Sequence, residues 1–243
     1  MPPVILITRP EPYGAEFAAT LRTLPGGDLS MILSPALQIG ALGTVPDLGV
    51  YSWLIFTSRN GVRHFVDASA RRDIPVYAVG DATADEARRA GMDAISCGGD
   101  ARDLVARIIA DGVRGPMLHL RGAHAAADIA RALNDAGIEA GEAVLYSQEA
   151  APLTDAARAC LLGDVPVIAP VFSPRSAEAL FDGAPPSAPV VVLAISDAAA
   201  ARVPKGAARK VIIADRPDTA AILRAWPSAL QAAYRLEGTE CAE

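Results

Sequence analysis

Four short patterns occur twice along this chain of 243 residues, and their order restricts the fold more than any other feature. "LITRPEPYGAEFAATLRTLPG", from Leu6, resembles "LHLRGAHAAADIARALNDAG", from Leu118. "WLIFTSRNGVRHF", from Trp53, resembles "VIAPVFSPRSAEALF", from Val167. "VYAVGDATADEARRAG", from Val76, resembles "VVLAISDAAAARVPKG", from Val191, and "GGDARDLVARI", from Gly98, resembles "ADRPDTAAILRA", from Ala214. With the patterns named a, b, c and d, the chain reads a, then b-c-d-a, then b-c-d. The middle block is a complete set, and the unit missing from the last block lies at the amino terminus. That order suits a duplicated domain inserted into its copy. The expected division is a discontinuous domain of residues 1–35 and 152–243 around an inserted domain of residues 40–143. Residues 36–39 and 144–151, within "MILSPALQIGAL" and "AVLYSQEA", are expected to cross between them as a two-stranded antiparallel ladder.

Each unit is a short apolar run followed by a helical pattern. Val4–Thr8, Ser52–Thr57, Val76–Val79 and Met117–Leu120 read as strands, and Ala15–Leu24 and about Gly61–Ala70 as helices. Continuous apolar strands with helical crossovers belong to parallel sheets covered on both faces. The expected fold class is therefore α/β: two similar doubly wound, flavodoxin-like domains. A hydrophobic fraction of 51% against 21% charged supplies core enough for both.

Composition narrows the function. Aromatics at 5% are too sparse for a nucleic-acid stacking platform, and a net charge of −6 offers no general attraction to nucleic acid or an anionic membrane. Cys97, Cys160 and Cys241 are far apart, which excludes a disulfide framework or zinc knuckle and fits a reducing compartment. "MPPVILIT" lacks the basic start of a signal peptide, no apolar run is long enough to span a bilayer, and the tail from Leu236 reads as frayed. A cytoplasmic location is expected.

Ligands of open parallel sheets bind outside the carboxyl ends of the strands. There the chain places Ser58-Arg59-Asn60-Gly61 and Ser173-Pro174-Arg175-Ser176 after the two b strands, and Gly80-Asp81-Ala82-Thr83 after one c strand. Arg9 and Arg121-Gly122 follow the a strands. Small polar residues at helix amino termini let an anion approach unpaired N–H groups, although the same residues are also ordinary N-caps. The arginines are equally suited to an anion or to a surface ion pair. There is no GxGxxG after the first strand, no GxxxxGK[ST] and no GxSxG. His64, His119 and His124 show no metal-ligand spacing, and His119, inside a strand, reads as core.

The same residues resemble those of the uroporphyrinogen-III synthase family along nearly the whole chain. The matching stretches are "LITRP" at Leu6–Pro10, "FTSRNGV" at Phe56–Val62, "AVGDATA" at Ala78–Ala84 and "LRG" at Leu120–Gly122. "VLYSQ" at Val144–Gln148, "FSPRSAEAL" at Phe172–Leu180 and "DRPDTAAIL" at Asp215–Leu223 complete them. The resemblance implies a monomeric hydro-lyase without metal or organic cofactor. It would cyclise hydroxymethylbilane to uroporphyrinogen III with the terminal ring D inverted, in a cleft between the domains. The preceding pathway enzyme is an implied transient partner.

Carried over residue by residue, the resemblance makes Tyr146 the candidate proton donor. Arg9, Ser58, Asn60, Gly80, Thr83, Arg121, Gly122, Ser173, Ser176, Asp197, Pro217 and Thr219 become candidate substrate-binding residues, with Thr83 capping a helix that faces substrate carboxylates. The chain departs from the pattern at "AISDAAAA", where Ser196 stands for the usual glycine and alanine for a hydroxyl. Two alternatives stay open: a non-catalytic two-lobed protein closing on a small anion, and an inactive paralogue.

Overall fold

A computed structural model describes residues 1–124, 127–183 and 185–238; Cys241 and the end of the polar tail lie outside the described residues. In chain order the elements begin with β1 (Val4–Ile7), α1 (Tyr13–Leu21), β2 (Met31–Leu33), β3 (Leu37–Ala41), β4 (Trp53–Phe56) and α2 (Arg59–Ala68). There follow β5 (Val76–Ala78), α3 (Asp81–Arg89), β6 (Ala94–Ser96), α4 (Ala101–Ala110), β7 (Met117–Gly122), α5 (Ile129–Asp135) and β8 (Ala140–Ala150). The rest are α6 (Asp155–Leu161), β9 (Val167–Val171), α7 (Pro174–Leu180), β10 (Val190–Ala194), α8 (Asp197–Ala200), β11 (Lys210–Ile213) and α9 (Thr219–Gly238). The chain divides into two compact units: Met1–Gln38 with Glu149–Glu243, called unit 1, and Ile39–Gln148, called unit 2.

Unit 1 contains a five-stranded sheet in the order β11-β10-β9-β1-β2, with every neighbouring pair parallel. The sheet of unit 2 runs β3-β8-β7-β4-β5-β6. Counted from each a strand, both sheets follow the flavodoxin-like order 2-1-3-4-5. β1 and β7 are the first strands, β2 and β8 the second, β9 and β4 the third, and β10-β11 and β5-β6 complete the order. The central strands of both sheets are buried on two faces, with alternate side chains joining different cores. In unit 1, Ile5, Ile7, Ile168, Val191 and Leu193 pack under α1 and α9, while Leu6, Val167, Ala169, Val190 and Val192 pack under α6 and α7. In unit 2, Leu54, Phe56, Val76 and Leu118 face α2 and α3, and Ile55, Tyr77 and Met117 face α4 and α5. Period-two alternation with both faces covered is why these strands carry hardly a polar residue.

The extended segment from Met31 is two strands instead of one. Met31–Leu33 is the edge strand of unit 1, parallel to β1 with Ile5 opposite Met31. Ser34 and Ala36 still donate backbone bonds to Ile7 and Thr8, donors two residues apart meeting acceptors one apart, so the regular ladder ends across Pro35. Only β3, beyond the proline, lies beside β8. The backbone bonds Leu42 N to Leu145 O and Ala151 N to Ala36 O show that the two strands are antiparallel, since one partner advances as the other retreats.

The return strand also begins earlier than the ladder at 144 requires. From Ala140 to Val144 it is a full parallel neighbour of β7. Its opposite edge meets β3, so one strand is both the second strand of the repeat and the way out of unit 2.

Candidate active site

In unit 2, β4 and β7 are neighbours whose onward connections diverge, β4 to β5 on one side and β7 to β8 on the other. At such a switch point the loops separate and leave a crevice outside the carboxyl ends. A cavity of about 350 Å³ lies there, lined among others by Thr57 and Ser58 after β4, by His119, Arg121 and Gly122 of β7, and by Tyr146 of β8.

A bulge places the tyrosine. The register between β7 and β8 runs from Met117 opposite Ala140 to Arg121 opposite Val144, then slips so that Gly122 faces Tyr146. The extra residue on β8 re-aims the side chains that follow it. Tyr146 is 4% exposed. A Cβ built on Gly122 would stand 2.7 Å from its Cζ, 2.8 Å from Cε2 and 3.0 Å from its hydroxyl oxygen. The glycine is therefore required by space, because no other residue leaves room for the ring. Burial raises the phenol pKa, and the neighbouring Ser58 hydroxyl draws it partly back. The hydroxyl stays protonated at neutral pH, as a proton donor must. Ser58 also caps α2, accepting the Asn60 N–H at 3.1 Å.

His119 is the site residue that the sequence reading assigned to the core. It is buried, at 1% exposure, but it also lines the cavity. Its Nε2 lies 3.4 Å from Thr57 Oγ1, and its Nδ1 has no hydrogen-bond partner among the described residues. Burial pushes its pKa down to about 4, with the Arg121 charge adding and Glu142 and Asp128 opposing. The imidazole is thus neutral near pH 7. The one available signal was a histidine on an inward position of the otherwise apolar "MLHL".

Arg121 is engaged by a carboxylate of its own unit. Its Nε and Nη2 donate to Glu142 at 2.9 and 2.6 Å, and its Nη1 donates to the Gly122 carbonyl at 2.9 Å. This fork-to-fork pair raises the arginine pKa and lowers that of Glu142.

Asn60, Gly80 and Thr83 belong to the same carboxyl edge but do not line the cavity. Gly80 is the N-cap of α3 and supplies no side-chain bond. Thr83 does not occupy the capping position: it is the third residue of the helix, buried, and its N–H donates to the Gly80 carbonyl at 3.1 Å.

In unit 1 the corresponding turns are largely satisfied by their own side chains. Ser173 and Ser176 form a reciprocal capping box on α7, each hydroxyl accepting the other's backbone N–H at 3.0 Å. Ser196 Oγ accepts the Ala199 N–H at 3.3 Å, next to exposed Asp197. Asp218 accepts the Ala221 N–H at 2.7 Å in the turn that also holds Pro217 and Thr219. The Arg9 guanidinium lies over the Phe172 ring, 4.0 Å from its centroid. Among the described residues no group of three metal-ligating side chains occurs, and no helix is long and apolar enough to cross a membrane.

Fold and cavity define a class: an α/β protein of two like units, with a buried tyrosine and a neutral histidine at the strand-order switch point of one of them. The family model described as uroporphyrinogen-III synthase HemD matches residues 18–224, and the chain belongs to that family of cyclising lyases of tetrapyrrole biosynthesis. Among solved structures, uroporphyrinogen-III synthetase from Helicobacter pylori is similar at 18% identity and a TM-score of 0.65, over 94% of this chain and 99% of that one. A mutant uroporphyrinogen III synthase from Thermus thermophilus is similar at 16% identity and a TM-score of 0.56, over 96% and 100% of the two chains. At these identities the likeness speaks for the fold. No curated protein matches the sequence.

Proposed function

We propose that this protein closes hydroxymethylbilane to uroporphyrinogen III, with loss of water and inversion of ring D, as a cytoplasmic monomer. The observation that carries the reading is the buried Tyr146 at the switch-point cavity of unit 2, seated against Gly122 and lining that cavity together with Ser58. In this mechanism the phenol gives its proton to the hydroxyl leaving ring A. That oxygen departs as water and leaves an azafulvene. Ring D attacks through its substituted position, and the spiro intermediate fragments and recloses inverted. Folding the bilane back on itself supplies most of the rate, because proximity converts a rare encounter into a standing one. Proton donation typically adds a factor of about 10²–10⁴.

The acetate and propionate arms are assigned to the carboxyl edges of both sheets. The residues proposed there are Arg9, Asn60, Gly80, Thr83, Arg121, Ser173, Ser176, Asp197, Pro217 and Thr219. The uncapped start of α3 at Gly80 supports this assignment best. Arg121 and the Ser173–Ser176 pair support it least, being engaged by Glu142 and by each other.

Freshly generated hydroxymethylbilane given to the purified protein tests the reading, with the two macrocycle isomers separated afterwards. Predominantly type III product is expected; type I product matching a control without protein would overturn it.

A further inference from the structure

Tyr146 is held from two directions. Its ring centroid lies 5.3 Å from that of His64 with the planes 9° apart, a parallel stack unlike the 81° edge contact of Phe17 with Phe172. Gly122 abuts the hydroxyl end of the same ring. His64 belongs to α2 and Ser58 caps that helix, so one short element delivers both the imidazole stacked on the phenol and a hydroxyl lining the same cavity. A tyrosine on a strand turns about two side-chain bonds. The stack restrains the ring plane, and the backbone of β7 blocks movement at its tip.

We infer that His64 is a positioning residue for Tyr146, its imidazole face holding the phenol against Gly122 so that the hydroxyl proton points at the leaving group of the substrate. The inference rests on the proposed proton-donor role of Tyr146. Stacking of this kind needs a flat ring. Burial lowers the His64 pKa, Asp67 opposes and Arg63 adds, so the ring is neutral near pH 7. Among the charged groups on the elements packed against α2, Glu86 of α3 lies 4.0 Å from Arg63 and 3.2 Å from Arg89, Asp85 of α3 pairs with Arg88, and Arg121 of β7 pairs with Glu142.

Two substitutions in the full chain separate positioning from bulk packing. His64→Ala should lower kcat about tenfold with KM within about twofold of wild type, since a loosened donor costs rate and leaves substrate binding intact. His64→Phe keeps a flat ring and should recover most of the rate. A second readout does not use turnover. With isotope label at tyrosine Cζ, the NMR signal missing from Tyr146→Phe belongs to Tyr146. That signal should move in His64→Ala, return towards its place in His64→Phe, and leave the other tyrosines unshifted. A wild-type kcat for His64→Ala, or a Tyr146 signal that does not move, overturns the inference. Should the wild-type protein form no type III product, the functional reading fails, and the NMR comparison still decides on the stack.

Discussion

The carboxyl edges of units 1 and 2 come from the same repeated pattern and the same strand order, yet they are finished differently. In unit 1 the small polar residues turn inward on their helices: Ser173 and Ser176 cap each other, Ser196 caps α8 and Asp218 caps α9. In unit 2 the turn after β4 also caps its helix through Ser58, but β7 and β8 add Gly122, His119 and Tyr146 and line a cavity with them. A repeated fold thus supplies two edges, and a few substitutions at strand ends decide which one lines a cavity with a phenol and an imidazole. The difference is one of volume and hydrogen-bond capacity. Ser173 and Ser176 also spend their O–H donors inside the box, on the Ser176 hydroxyl and the Ser173 carbonyl, whereas a buried phenol beside a glycine keeps its proton for a ligand.

That contrast can be broken first at Gly122. Gly122→Ala drives a methyl into the Tyr146 ring, so turnover should fall about a hundredfold and stability by roughly 1–3 kcal/mol, measured by product separation and by chemical denaturation. Wild-type turnover in this variant would remove the close approach from the mechanism. Tyr146→Phe keeps the ring and deletes only the donor; a loss of about ten- to a hundredfold in kcat with unchanged denaturation is expected.

His119 gives the contrast a pH signature. Its pKa in the folded protein, about 4, lies below the ordinary 6.5. As pH falls below 6.5 the unfolded chain therefore gains a proton that the folded chain refuses. Stability should fall over that window and level off below about 4, by on the order of 3 kcal/mol for this one group. His119→Leu should flatten that part of the curve of unfolding free energy against pH, and an unchanged slope would count against a neutral buried imidazole.

The smallest effect is expected in unit 1. Ser176→Ala removes half of the capping box and should cost about 1 kcal/mol in denaturant titration. A far smaller cost would mean that these hydroxyls are not needed by α7.

Much of the architecture was legible in order and periodicity. The doubled pattern and apolar runs such as Val4–Thr8 and Val76–Val79 already implied parallel strands covered on both sides. Pattern matching did less well where one stretch has two roles. Within "MILSPALQIGAL" the split into an edge strand of unit 1 and a ladder strand depends on where pairing with β1 stops, which the segment's own extended pattern does not carry. β8 looked like a connecting strand because its first half differs from its second only in what lies beside it. Candidate site residues were found where polar type and strand end coincide, as at Ser58 and Gly122. His119 was passed over because a histidine inside a strand reads the same whether it fills a core or lines a cavity.

The sequence by itself determined the repetition, the α/β alternation and the positions of the strand ends, since these follow from local periodicity and from which residues cap helices. Only the tertiary structure decided that Glu142 occupies Arg121, that a one-residue bulge brings Tyr146 level with Gly122, and that His64 lies flat on the phenol. Each of these joins residues brought together by strand pairing or by helix packing on the sheet. The distances and burial that set their chemistry do not exist until the sheet of unit 2 has closed its register.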